Sequence, residues 1–335
     1  MRALRALVLG VAAVVLSTGL AACGSSEPAP AAGPATASPA AGGAAFPRTV
    51  KHAMGETTVP AEPKRIVALD QSFVDAALAL GANVVGFSTY RSIHEALPEY
   101  LGPDLAQYGK EATSVGTLEA PSLEQIIALK PDLILSAKVR HEALYDKLAQ
   151  IAPTVFSETT GAIWKDNLRL VGQAIGKEDL AEQKIKEYQD RAAKIGQEIK
   201  DKNGGKLPTI SVVRFAGEPT VRLYVENSYS GLVLKDVGFP RPEGQPTTTE
   251  TIAVDVSQEN IAQLDADEIF VSTYGDPSSE APKAKFVSNP LWDRLKGEKR
   301  DVSDITWMTA CGILGAQSML DDIAGFFQVD PAKAA

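Results

Sequence analysis

The chain has 335 residues, 44% of them apolar, and carries 33 Lys and Arg against 42 Asp and Glu, a formal net charge of −9. One very large or two ordinary domains with real cores are expected from this length and composition. The acidic balance argues against a nucleic-acid binder, because affinity there rests on neutralising phosphates with Lys and Arg.

The N-terminus reads as an export signal. Arg2 and Arg5 precede the apolar run 6–16, and the small-residue segment LSTGLAAC follows. Leu20-Ala21-Ala22-Cys23 resembles a bacterial lipobox, in which Cys23 is lipidated and becomes the first mature residue. Removing residues 1–22 leaves 31 basic and 42 acidic side chains. Cys311 is then the only other thiol, so no internal disulfide is available and stability must come from packing. Cys311 lies in MTACGILGA and reads as a small buried hydrophobe. Residues 24–45 are almost entirely Ala, Pro, Gly, Ser and Thr, too poor in apolar side chains to offset ordering entropy, and are expected to form a disordered tether.

From residue 46 the rhythm is strand then helix. The apolar runs RIVAL (65–69), VVGFS (84–88), DLILS (132–136), TVF (154–156), ISVVRF (210–215) and EIFVS (268–272) alternate with helical spacing such as FVDAALALG (73–81). This alternation predicts α/β architecture with mostly parallel sheets. The near-continuous apolar character suits strands covered on both faces. EPTVRLYVENSYSG (218–231) reads as a hairpin arm followed by a helix start. From Glu178 to about Lys202, Leu180, Ile185, Tyr188, Ala192, Ile195 and Ile199 form a one-sided apolar stripe, and Asn203-Gly204-Gly205 is a stop signal. Such a helix would be roughly 37 Å long, enough to cross between domains.

A motif recurs on either side of that helix: PSLEQIIALKPDLIL (121–135) and VSQENIAQLDADEIF (256–270) share Ser-x-Glu-x-Ile-x-x-Leu-x-x-Asp-x-Ile. Ser122 and Ser257 occupy N-cap positions, and Glu124 and Glu259 fall in the first helical turn. Gln125 completes a capping-box pattern in the first copy. Acids there also interact favourably with the helix dipole, worth typically about 0.3–1 kcal/mol.

With PKRIVALDQSFVDAALALGANVVGFSTY and SYSGLVLKDVGFPRP, these segments resemble the substrate-binding lipoproteins of ABC importers for ferric siderophores and cobalamin, over about 63–323. The resemblance implies a class III periplasmic-binding-protein-like α/β fold: two Rossmann-like lobes joined by a single long helix, with ligand held between them. It divides the chain into a signal peptide (1–22), lipidated Cys23 and tether (23–45), an N-terminal lobe (46–177), a linker helix (178–203) and a C-terminal lobe (204–335). It also implies that Glu124 and Glu259 dock into basic pockets of a two-subunit permease, and that the protein is a monomer on the extracytoplasmic face of the cell membrane.

Ligands of doubly wound sheets bind beyond the carboxyl ends of the strands. Near the ends of the apolar runs or beyond them stand Arg91, Arg140, Arg214 (inside ISVVRF), Arg222, Tyr224, Tyr274 and Trp307, with Gln71 and Ser72 at the start of the first helix. Arg offers a fork of donors to chelating oxygens, and Tyr and Trp offer flat surface to an organic skeleton. A ferric siderophore uses both, with no cofactor beyond the iron wrapped in its own chelator. The absence of a dense basic cluster favours a chelate of low charge such as a hydroxamate. Trp164 and Trp292, flanked by apolar residues, read as packing residues.

Only His52, His94 and His141 are present, with neither CxxC nor HExxH, so a protein-built metal site is not expected. GxSxG, Walker A and GxGxxG motifs are absent, so no enzyme activity is expected. Two alternatives remain: cobalamin or haem as ligand, the latter with Tyr274 or His141 as axial ligand, or an adhesion or signalling lipoprotein.

Overall fold

The computed structural model describes residues 46–90 and 96–333. The signal segment, Cys23, the tether and Arg91 lie outside these residues. A hairpin of β1 (Arg48–His52) and β2 (Gly55–Val59) precedes two five-stranded sheets. The first holds β3 (Ile66–Ala68), β4 (Val84–Thr89), β5 (Thr113–Thr117), β6 (Leu133–Ala137) and β7 (Thr154–Ser157), all parallel, in the order β5-β4-β3-β6-β7. The second holds β8 (Ile210–Phe215), β9 (Val221–Tyr224), β10 (Ala253–Val256), β11 (Glu268–Thr273) and β12 (Glu298–Val302), in the order β10-β9-β8-β11-β12. Here β8, β11 and β12 are parallel, and β9 runs antiparallel to both of its neighbours.

The two faces of each sheet serve different cores. Ile66 and Ala68 face a large apolar cluster, while Val67 and Leu69 face a smaller one with Val115, Ile126 and Phe156. Val212 and Phe270 join the same large cluster, while Val213, Ile269 and Val271 face a third with Phe286 and Trp292. Alternate strand residues point to opposite faces, so each sheet turns one face inward and has the other covered by its own outer helices. The inner cluster is continuous across both lobes.

Helices from both lobes fill that inner layer. The first helix, Gln71–Ala79, is capped by Asp70, whose side chain accepts from the Ser72 backbone N–H, and all nine of its residues are buried. The connecting helix, Glu178–Lys202, is the covalent crossing between the sheets and buries Ile185, Tyr188, Ala192, Ile195 and Ile199 on one face. Gly196 on that helix lies so close to the Val237 carbonyl that a Cβ would approach it to 1.9 Å. The C-terminal helix, Ile313–Phe327, packs beside it. The two are tied by buried Arg191, which donates from Nε to the Pro331 carbonyl (2.7 Å) and from Nη1 to the Gln317 carbonyl (3.0 Å), and pairs with Asp321. Aromatic packing completes the layer: Trp164 meets Tyr188 edge-on, with ring centroids 5.1 Å apart.

Candidate functional site

Strand ends from both sheets converge on one cleft. The first sheet contributes Asp70 and Gln71 after β3, Ser88 and Tyr90 at the end of β4, and Arg140 after β6; the second contributes Arg214 from β8. Met308, Thr309 and Cys311, between β12 and the C-terminal helix, close the far side. The space is about 50 Å³, well below the few hundred cubic ångströms of typical ligand pockets, so a bulky ligand requires its walls to part. The Ser88 hydroxyl is buried in this wall with no hydrogen-bond partner among the described residues. A buried polar group left so is costly unless something satisfies it.

Each cleft arginine is held by an aspartate of its own lobe. Arg140 donates from Nε to Asp70 Oδ2 at 2.9 Å, and from Nη2 to Thr160 Oγ1 at 3.4 Å. Arg214 makes a bidentate pair with Asp304, Nε to Oδ1 and Nη2 to Oδ2, both at 2.7 Å. The Ser272 hydroxyl also donates to Asp304 Oδ1, at 2.7 Å. Burial works against both guanidinium charges, but Asp70 for Arg140, and Tyr224 with Asp304 for Arg214, outweigh it and raise their pKa values. Both arginines therefore stay cationic and keep N–H groups uncommitted to these partners.

The remaining strand-end residues take other places. Tyr224 accepts from Arg214 Nη1 at 3.1 Å, and the Arg214 guanidinium lies 5.2 Å from the Tyr274 ring centroid. Tyr274 stands 6.4 Å from the ring of Tyr90, an aromatic contact from lobe to lobe. Two expectations need correction. Trp307 is fully buried, packs on Phe270 at 4.7 Å and donates from Nε1 to Asp322 at 2.8 Å, so it is a core residue behind Met308. Arg222 lies opposite Arg214 in the β8–β9 ladder but pairs with Glu218 and does not line the cleft.

Sequence reasoning missed Asp70 and Asp304. Both stand just past a strand end in a sheet whose strand-end arginine needs a partner, and Asp70 also precedes a helical pattern as an N-cap. Cys311 lines the cleft half-buried, its thiol pushed up to about 12 by burial, so it stays protonated. His141 is buried and its pKa lowered by burial. Its Nδ1 accepts from Ser136 Oγ and its Nε2 donates to the Leu118 carbonyl, both at 2.7 Å, so neither nitrogen is available as an axial ligand. Among the described residues no group of three or more His, Cys, Asp or Glu could hold a metal ion.

The duplicated motif diverges in its details. Glu124 and Glu259 are both exposed in first turns. Ser122 caps an α-helix, Leu123–Leu129, accepting from the Gln125 N–H. Ser257 holds the N-cap position without capping, and the segment Gln258–Leu264 is a kinked 3₁₀ stretch. The Ser257 hydroxyl instead bonds Glu259 and lowers the pKa of its carboxyl.

The sequence profile of the Periplasmic binding protein family matches residues 66–300. The chain belongs to this family. Its relatives include the Bacillus subtilis protein described as "Probable siderophore-binding lipoprotein YfiY", 38% identical over 92% of this chain and 94% of that one. Another is the achromobactin-binding periplasmic protein of Dickeya dadantii, 32% identical over 78% of this chain and 86% of that one. The crystal structure of Staphylococcus aureus SirA complexed with staphyloferrin B superposes with a TM-score of 0.75 at 33% identity, covering 85% of this chain and 99% of that one. Both sheets and their arrangement are the class III fold of the family, whose members are transport binding proteins and not enzymes.

Proposed function

We propose that this protein is the extracytoplasmic substrate-binding component of an ABC importer and captures a ferric siderophore between its lobes. The observation that carries this reading is the convergence of Arg140 and Arg214, from opposite sheets, on one cleft with Tyr90 and a Ser88 hydroxyl that has no hydrogen-bond partner among the described residues. Guanidinium N–H groups suit the iron-bound oxygens of a chelate, and Tyr90 and Met308 suit its organic frame. The relatives described as siderophore binders support the same class.

The chelate is of low charge, of the ferric hydroxamate type, because each cleft arginine is already balanced by an aspartate. Lipid on Cys23 anchors the protein, a monomer, to the membrane, and Glu124 and Glu259 engage the two subunits of the permease. Fluorescence titration with ferric hydroxamates, ferric catecholates, ferric citrate, haem and cobalamin tests the ligand class, with Trp307 beside the cleft residue Met308 as reporter. A ferric chelate is expected to bind tightest. Tighter binding of haem or cobalamin than of every ferric chelate would overturn the reading.

A further inference from the structure

Both lobes use one device at the cleft. An aspartate just beyond one strand holds, through Nε, an arginine at the end of another strand of the same sheet: Asp70 holds Arg140 at 2.9 Å, and Asp304 holds Arg214 at 2.7 Å. Both carboxylates are buried, and each has a second reason to stay in place. Asp70 Oδ1 accepts from the Ser72 backbone N–H (3.0 Å) and hydroxyl (2.8 Å), capping the first helix, and Asp304 accepts from the Ser272 hydroxyl. The four side chains carry two positive and two negative charges, with both carboxylates and Arg214 buried.

We propose that Asp70 and Asp304 are the charge-selectivity residues of the cleft. By neutralising Arg140 and Arg214 they leave N–H groups to direct a ligand's oxygens, yet deny the site the positive potential that would draw in a polyanionic chelate. This rests on the ferric-chelate reading above. Charges in such a site interact at an effective dielectric far below that of water, so removing one aspartate charge is expected to favour each added negative charge on a ligand by roughly tenfold.

The test measures Kd for ferrichrome, a neutral trihydroxamate, and for ferric citrate, an anionic chelate, with the full mature protein and its Asp70→Asn and Asp304→Asn variants. Asn keeps an oxygen to accept from Ser72, so the cap survives. Arg140 is partly exposed and tolerates losing its partner, so Asp70→Asn alone decides the matter if Asp304→Asn fails to fold by near-UV circular dichroism. The expected result is a ratio of Kd for ferrichrome to Kd for ferric citrate that rises at least tenfold in the variant, with the gain for ferric citrate shrinking as salt is raised. A ratio unchanged within twofold overturns the proposal even if both affinities drop, since a merely structural role weakens both ligands alike. If wild-type protein binds no ferric chelate in the wider panel, the ferric-chelate reading itself falls and the proposal falls with it. If wild type binds only other members of that panel, the same ratio is read between its most and least anionic ligands.

Discussion

The carboxylate of Asp75 accepts the backbone N–H of Gly315 at 2.9 Å, across 240 residues of sequence, and that of Leu314 at 3.0 Å. An acid on the first helix thus caps the N-terminus of the C-terminal helix, satisfying amides that have no partner within their own helix. The fit is close: a Cβ on Gly312 would lie 2.3 Å from that carboxylate. Burial nevertheless outweighs these bonds and pushes the pKa of Asp75 from 3.8 up to about 7.

A pH dependence follows from this pair. A carboxyl whose folded-state pKa is raised binds more protons folded than unfolded, so its contribution is complete below about pH 4 and is lost as pH rises to about 7. The span between 3.8 and about 7 corresponds to at most about 4 kcal/mol. Urea denaturation of wild type and Asp75→Asn across pH 4 to 8 should show wild type losing ground to the variant over that interval. Parallel profiles would contradict the assignment.

Gly196 should resist substitution. Because its missing Cβ would meet the Val237 carbonyl at 1.9 Å, Gly196→Ala forces the connecting helix away from the helix Tyr229–Val237. A loss of about 1–3 kcal/mol, as is usual for overpacking, is expected in thermal melts, whereas Ala is otherwise the better helix former at an exposed site.

Cleft and packing residues separate by their effects on binding. Arg140→Ala and Arg214→Ala should each weaken a ferric chelate by about 10- to 100-fold, the scale of a charge-assisted hydrogen bond. Arg222→Ala should change affinity by less than about threefold. Trp307→Phe should leave affinity similarly intact while costing about 1–3 kcal/mol of stability, because Asp322 loses its donor. Titration and denaturation of the same four variants decide between the assignments.

Replacing Glu124 and Glu259 together by Ala should leave ligand affinity intact while iron uptake by cells falls. Normal uptake, or a loss of affinity, would remove the docking role from these side chains.

Buried regular elements were the most legible in the sequence. ISVVRF (210–215) and the helix beginning at Glu178 stand where the apolar pattern put them, because strands covered on both faces and a one-sided stripe leave strong periodic signals. The edge strand EKRDV is charged at every position but its last and carried no such signal. TSVGT, also at an edge, is short and interrupted by glycine. In the cleft, residue type at a strand end was enough to suggest Arg140 and Arg214, but not that Trp307 turns inward to Asp322. That depends on the π-helical turn Ile305–Thr309, which no spacing rule foretells. The second Ser-x-Glu motif does not act as a cap because it opens a kinked 3₁₀ stretch, where the Ser257 hydroxyl accepts from the Asn260 side chain at 3.3 Å.

The inner apolar cluster has one further consequence. Ile66 and Phe73 from the first lobe, Val212 and Phe270 from the second, and Tyr188 and Ile323 from the helices between them belong to a single packed body. Cutting the chain at the connecting helix would expose that body on both fragments, so neither half should fold by itself. Calorimetry should record one endotherm in place of two, because the visible cleft does not mark a thermodynamic seam.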